Sequence, residues 1–183
     1  KVLYTNNRSG AADLIIDPQN PNKLFAAMWE YRRWPWVFKS GGPGSGLYVT
    51  HDGGDTWVKR TDKDGLPAGD LGCIGLAVSR THPNVLYSLV ENKEKNALYR
   101  SQDGGVKWTR ISDEEEIGNR PFYYSEIYVD PFRENTVYSL WTLVTMPGGG
   151  STIAESMRST SWTRSTTKPI VRSATSTTTA PSR

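Results

Sequence analysis

The chain repeats itself, and that repeat limits what it can fold into more than any other feature. GLYVTHDGGDTWVKRT begins at Gly46 and NALYRSQDGGVKWTRIS at Asn96, so that Tyr48 and Tyr99, Asp52 and Asp103, and Trp57 and Trp108 each lie 51 residues apart. A second element recurs three times without gaps: IIDPQNPNKLFAA at 15–27, AVSRTHPNVLYSL at 77–89 and YVDPFRENTVYSL at 128–140. Phe25, Tyr87 and Tyr138 hold one position in it, at separations of 62 and 51. The same excess of 11 residues separates the Phe25–Tyr48 interval from the Tyr87–Tyr99 interval, which places an insertion at residues 31–44, YRRWPWVFKSGGPG. The underlying unit of about 50 residues matches a four-stranded propeller blade rather than a helical repeat.

The strand pattern fits that unit. Apolar-rich runs at 11–16, 72–78 and 124–129 end near Pro, Asn or Asp, and runs at 24–29, 85–90 and 136–143 read as the next strand. Residues 47–50 and 98–101 make the third strand, and 56–60 and 107–111 the fourth. No segment carries a helical apolar period over 11 or more residues. The fold class expected is all-β: a partial β-propeller of two to three four-stranded blades over residues 1–147, followed by a disordered tail. Two or three blades cannot close a ring, so further blades are expected outside this chain. Lys1 is not an initiator Met, so the natural N-terminus is expected upstream.

THDGGDTW and SQDGGVKW share the pattern Ser/Thr-x-Asp-x-Gly-x-x-Trp, led by Thr50 and Ser101. A carboxylate at the third place can accept hydrogen bonds from the N–H groups of the turn that follows. Gly53–Gly54 and Gly104–Gly105 supply positive φ, and Trp57 and Trp108 return the chain to the sheet. Asp52 and Asp103 therefore read as structural: both hairpins carry the residue, whereas a catalytic site needs it once. The spaced acids of a calcium loop are absent.

These motifs resemble the BNR or Asp-box repeat proteins, a superfamily that includes sialidases, xyloglucanase-type glycosidases and sortilin-type receptor propellers. With GAADLIIDPQNPNKLFAAMWEYRRWPW, DGLPAGDLGCIGLAVS and FYYSEIYVDP, residues 1 to about 147 look most like the sortilin-like and xyloglucanase-like "glycosyl hydrolase, BNR repeat" group. The resemblance implies a propeller that binds a peptide, a protein or a glycan. The alternatives it leaves are a glycoside hydrolase fragment acting on polysaccharide and an assembly scaffold. An arginine triad of the sialidase kind cannot be placed. The catalytic aspartates of the xyloglucanase kind would have Asp13, Asp64, Asp70 and Asp130 as candidates, with no signature to select among them, so the catalytic residues stay unknown. Asp17 and Asp130, each followed by Pro, read as turn initiators.

The insertion is where binding is expected, because ligand contacts gather on loops that break a scaffold's regularity. Tyr31, Arg32, Arg33, Trp34 and Trp36, with Phe38 and Lys39 beside them, bring cationic donors and aromatic faces into one non-repeated segment. Such faces stack on sugar rings or anchor peptides; packing against a neighbouring blade is the alternative. Adjacent arginines point in opposite directions along a strand, so Arg32 and Arg33 do not form a ready-made carboxylate clamp. NRPFYYSE at 119–126 is a weaker candidate. His51 and His82 stand without partners at metal-ligand spacing, and neither metal nor cofactor is expected.

The net charge of +3 invites a nucleic-acid reading, but residues 151–183 hold five of the basic residues against Glu155 alone, leaving −1 over 1–150. The folded part lacks the basic footprint that phosphate binding needs, so no nucleic-acid partner is expected. In the tail, 17 of 33 residues are Ser or Thr, and the third hairpin due near residue 154 is missing. A Ser/Thr-rich linker or a reading-frame error in the source DNA would each produce this. Cys73 alone cannot form an intramolecular disulfide, no apolar stretch is long enough to span a membrane, and no signal peptide is visible. A secreted or periplasmic location is expected from the resemblance.

Overall fold

The computed structural model describes residues 2–114, 117, 125–140 and 170–174. Among the described residues its elements are strands, with a turn of 3-10 helix at Asp62–Asp64. The first sheet comprises β1 (Ser9–Asp17), β2 (Asn20–Arg33), β3 (Phe38–Ser40), β4 (Gly46–Thr50) and β5 (Val58–Lys59), in the order β1-β2-β4-β5 with β3 paired to the far end of β2. The second holds β6 (Leu71–Val78), β7 (Leu86–Asn92), β8 (Ala97–Ser101) and β9 (Thr109–Ser112) in simple meander order. The third holds β10 (Ile127–Asp130), β11 (Arg133–Leu140) and β12 (Ile170–Ala174). The chain is thus all-β, with successive antiparallel meanders stacked face to face as blades of a partial β-propeller. β12 departs from the meander: it pairs parallel to β11, where β4 and β8 pair antiparallel at the equivalent places. The rest of the tail expected to be disordered, 148–169 and 175–183, lies outside the described residues, as do 119–124 of the NRPFYYSE segment.

The pattern of apolar residues explains the stacking. In β1 the side chains alternate, with Ile15 facing inward while Leu14 and Ile16 are about half exposed. In β6 and the first five residues of β7 nearly every position is buried, because the middle blade is covered on both faces. Phe25, Leu47 and Val49 of the first blade meet Ile74, Leu86, Val90 and Trp108 of the second in one core. Tyr87, Leu89 and Leu98, pointing to the other face, meet Ile127 and Val137 of the third. Alternate residues of β7 thus feed two cores, the geometry a pleated strand imposes.

The recurring turns are built alike. Asp17 accepts from the backbone N–H groups of Gln19 and Asn20 at 2.9 and 3.2 Å, and Asp130 from those of Phe132 and Arg133 at 2.9 and 3.0 Å. Ser79 takes the same place in the middle blade and accepts from His82 N–H at 3.2 Å. In the β4–β5 turn, Thr50 Oγ1 donates to Asp52 at 2.6 Å, and Asp52 accepts from Thr56 N–H at 2.9 and 3.0 Å. Ser101, Asp103 and Lys107 repeat this at 2.8, 2.9 and 3.1 Å in the β8–β9 turn. Each hairpin then docks on its own blade, Gly53 N–H donating to Asn22 O and Gly104 N–H to Asn84 O, both at 2.9 Å. The aspartates read as structural are occupied in holding turns.

Candidate functional site

The segment at 31–44, expected as a loop, is a strand extension. β2 runs on through Tyr31, Arg32 and Arg33 and turns back as β3, with Tyr31 opposite Ser40, Arg32 opposite Lys39 and Arg33 opposite Phe38. Trp34 N–H donates to Val37 O at 2.8 Å, which leaves Pro35 and Trp36 as a two-residue tip. Proline suits the first tip position because its φ is already near the value a turn needs. At the tip Trp36 is 81% exposed and Trp34 40%.

Strand alternation gives this ribbon two different faces. On one, Trp29 and Tyr31 stack at 4.4 Å between centroids, Phe38 packs at 6.2 and 6.4 Å from them, and the Arg33 guanidinium lies 5.7 Å from the Phe38 ring. On the other, Arg32 and Lys39 stand opposite each other. Together with Asn7, Arg8, Glu30, Tyr31, Trp34 and Gly41 they line a concavity of about 490 Å³. The two arginines fall on opposite faces, and the second is committed to the aromatic side.

The ribbon is anchored to the neighbouring blade. Trp29 Nε1 donates to Ser40 Oγ at 2.9 Å, and Ser40 Oγ donates to Glu91 Oε2 at 2.5 Å. The same oxygen accepts from Cys73 N–H at 2.6 Å. Glu30, only 3% exposed, is held from behind: Asn6 Nδ2 donates to it at 2.7 Å, Gly44 N–H at 2.9 Å, and Arg8 pairs with it at 3.1 Å. The Asn6 amide first, then the Gly44 N–H and the Arg8 charge, keep this carboxyl below the usual range against the effect of burial. Sequence reading missed Arg8 and Glu91, which lie far from the ribbon along the chain. The like-charged Arg32 and Lys39 flanking WPW were the available signal.

A second concavity, a groove of about 1070 Å³, runs along β1, β6 and β10. Asp13 lies in it and accepts from Leu76 N–H at 2.8 Å, tying the first two blades together. Burial, with a contribution from the Glu126 charge, raises the Asp13 carboxyl above its ordinary value despite that bond. The other aspartates weighed as catalytic lie elsewhere. Asp64 caps Thr61 N–H at 3.0 Å, Asp130 closes its turn, and Asp70 is exposed ahead of β6. His82 pairs with Glu134 at 2.5 Å, and among the described residues no group of three or more potential metal ligands occurs.

No protein-family model matches the chain. It is 25% identical over 135 residues to a Neosartorya fischeri protein described as a "Probable oligoxyloglucan-reducing end-specific xyloglucanase"; the match covers 72% of this chain and 15% of the relative, so the chain spans a small part of its length. Among solved structures it is similar to the GH74 enzyme of Niastella koreensis, with a TM-score of 0.50 at 18% identity, covering 73% of this chain and 21% of that one. The GH74 xyloglucanase of Xanthomonas campestris gives a TM-score of 0.45 at 19% identity, covering 62% and 17%. The Niastella match bears on the fold.

Proposed function

We propose that this chain is part of a secreted glycoside hydrolase acting on a xyloglucan-type polysaccharide, and that its ribbon is a glycan-contacting element. This reading stands ahead of the receptor-type or assembly scaffold because the relative is described as a xyloglucanase. The observation that carries it is Trp36, 81% exposed at the tip of a hairpin clamped to the next blade by Ser40 and Glu91. Exposing an indole to water is unfavourable unless something covers it, and the flat face of a pyranose is a matching surface. Tyr31 and Trp29 spend their facing surfaces on each other, which leaves Trp36 and the outer edge of Tyr31 to the ligand. Arg33 stiffens the ribbon through Phe38. Trp34 borders both the tip and the concavity. Affinity electrophoresis of the full chain in xyloglucan gels tests the reading. Retardation is expected, with Trp36→Ala weakening it by about tenfold, the loss of one aromatic anchor. Mobility unchanged by xyloglucan would overturn it.

A further inference from the structure

We infer that the concavity beneath the ribbon is a subsite for an acidic sugar, one whose carboxylate is held between Arg8 and Arg32. This rests on the carbohydrate reading and narrows it to a uronate-bearing chain at this position. Arg32 and Lys39 are direct cross-strand partners, and like charges so placed destabilise a sheet. Arg8 brings a third cation to the same 490 Å³ concavity. Glu30, the one carboxylate among the described residues lining it, is already taken by Asn6, Gly44 N–H and Arg8, so it neutralises the cluster only in part. It also fixes the Arg8 guanidinium through the 3.1 Å contact, leaving that group's other donors for a ligand. Two guanidiniums and an ammonium around a cavity with a Trp34 wall suit a carboxylate attached to a flat ring. A ligand carboxylate would relieve the repulsion that the free protein carries.

The experiment is calorimetric titration of the full chain with trigalacturonate, with a neutral xyloglucan oligosaccharide and with inorganic sulfate. Thermal melts of Arg32→Gln and Arg32→Lys accompany it. Trigalacturonate is expected to bind more tightly than the neutral sugar, with affinity falling as salt rises. Arg32→Gln should lose about tenfold in that affinity and a smaller factor in neutral-sugar affinity, and Arg32→Lys should retain most of the acidic-sugar affinity. The signature that a merely structural role would not produce is a trade: Arg32→Gln should melt higher than the parent while binding the acidic sugar less well. Neutral-sugar binding alone, or an Arg32→Gln affinity equal to the parent's, overturns this subsite and leaves the carbohydrate reading standing. Displacement of trigalacturonate by equimolar sulfate overturns the sugar assignment. Binding of neither sugar overturns both readings.

Discussion

Gly54 and Gly105 occupy equivalent places in the two repeated turns, both with positive φ, at 106° and 86°. Their surroundings differ. A methyl group on Gly54 would meet its own Trp57 at 3.7 Å, whereas one on Gly105 would fall 2.5 Å from the Phe25 ring of the preceding blade. Phe25 is fully buried and cannot step aside. Gly54→Ala should therefore cost about 1 kcal/mol from left-handed backbone strain alone. Gly105→Ala should cost about 1–3 kcal/mol more from overpacking. Urea denaturation of the two variants checks this, and equal losses would show that the blade contact carries no weight. The glycine pairs are plain in the sequence; that one packs against a neighbour and the other does not is a fact of stacking order.

At the scale of the element, the ribbon formed by the end of β2 and β3 has little core of its own. Two-stranded ribbons are marginal in water, so this one depends on what it leans on. Glu91 is the link: it takes a hydrogen bond from Ser40 and another from Cys73 N–H with a single oxygen. The chain passes close by because Gly72 leaves room for the Glu91 side chain. Glu91→Ala should free the Cys73 N–H and the Ser40 hydroxyl, at about 1–3 kcal/mol for the groups left without partners. The expected result is faster amide exchange at Tyr31–Arg33 and Phe38–Ser40, with the protection of β7 and β8 little changed. Unaltered exchange in the ribbon would mean that Glu91 does not position it. The insertion's place was legible as an 11-residue mismatch in the repeat. Its form was not, because a strand that leaves its blade has no periodic partner in sequence and takes its pairing from the return strand.

For the whole molecule, β7 shares its two faces between two cores, so the described blades should unfold together. Acid tests this. Asp52 is held below the ordinary carboxylate range by the Thr50 and Thr56 hydroxyls and the Thr56 N–H. Asp103, despite burial, is held below it by Lys107 N–H and the Ser101 hydroxyl; Asp130, despite burial, by Phe132 N–H and the Tyr138 hydroxyl. A carboxyl whose folded pKa lies below its unfolded value contributes stability that is fully present above the unfolded value. That stability is lost as pH falls through the folded value. The melting temperature should therefore drop steeply below about pH 4. Asp13, raised by burial, acts in the opposite sense, but it is one group against several. A single transition at each pH, with a shallower acid dependence in Asp103→Asn, is the expected result. A flat profile between pH 5 and 2 would contradict it.

The order of amino acids alone carries the repeat, the turn chemistry and the all-β class, since each rests on residues close together along the chain: Thr50 with Asp52, Asp17 with Asn20, alternation along β1. It also removed Asp52 and Asp103 from the catalytic candidates, because duplication argues for a repeated structural task. Which faces meet and what the concavity contains follow from how the strands pack. Arg8 reaches Glu30 across 22 residues, and Ser40 reaches Glu91 across 51. Contacts at such separations depend on how strands pair and blades stack, and side chains far apart along the chain carry no local trace of that pairing.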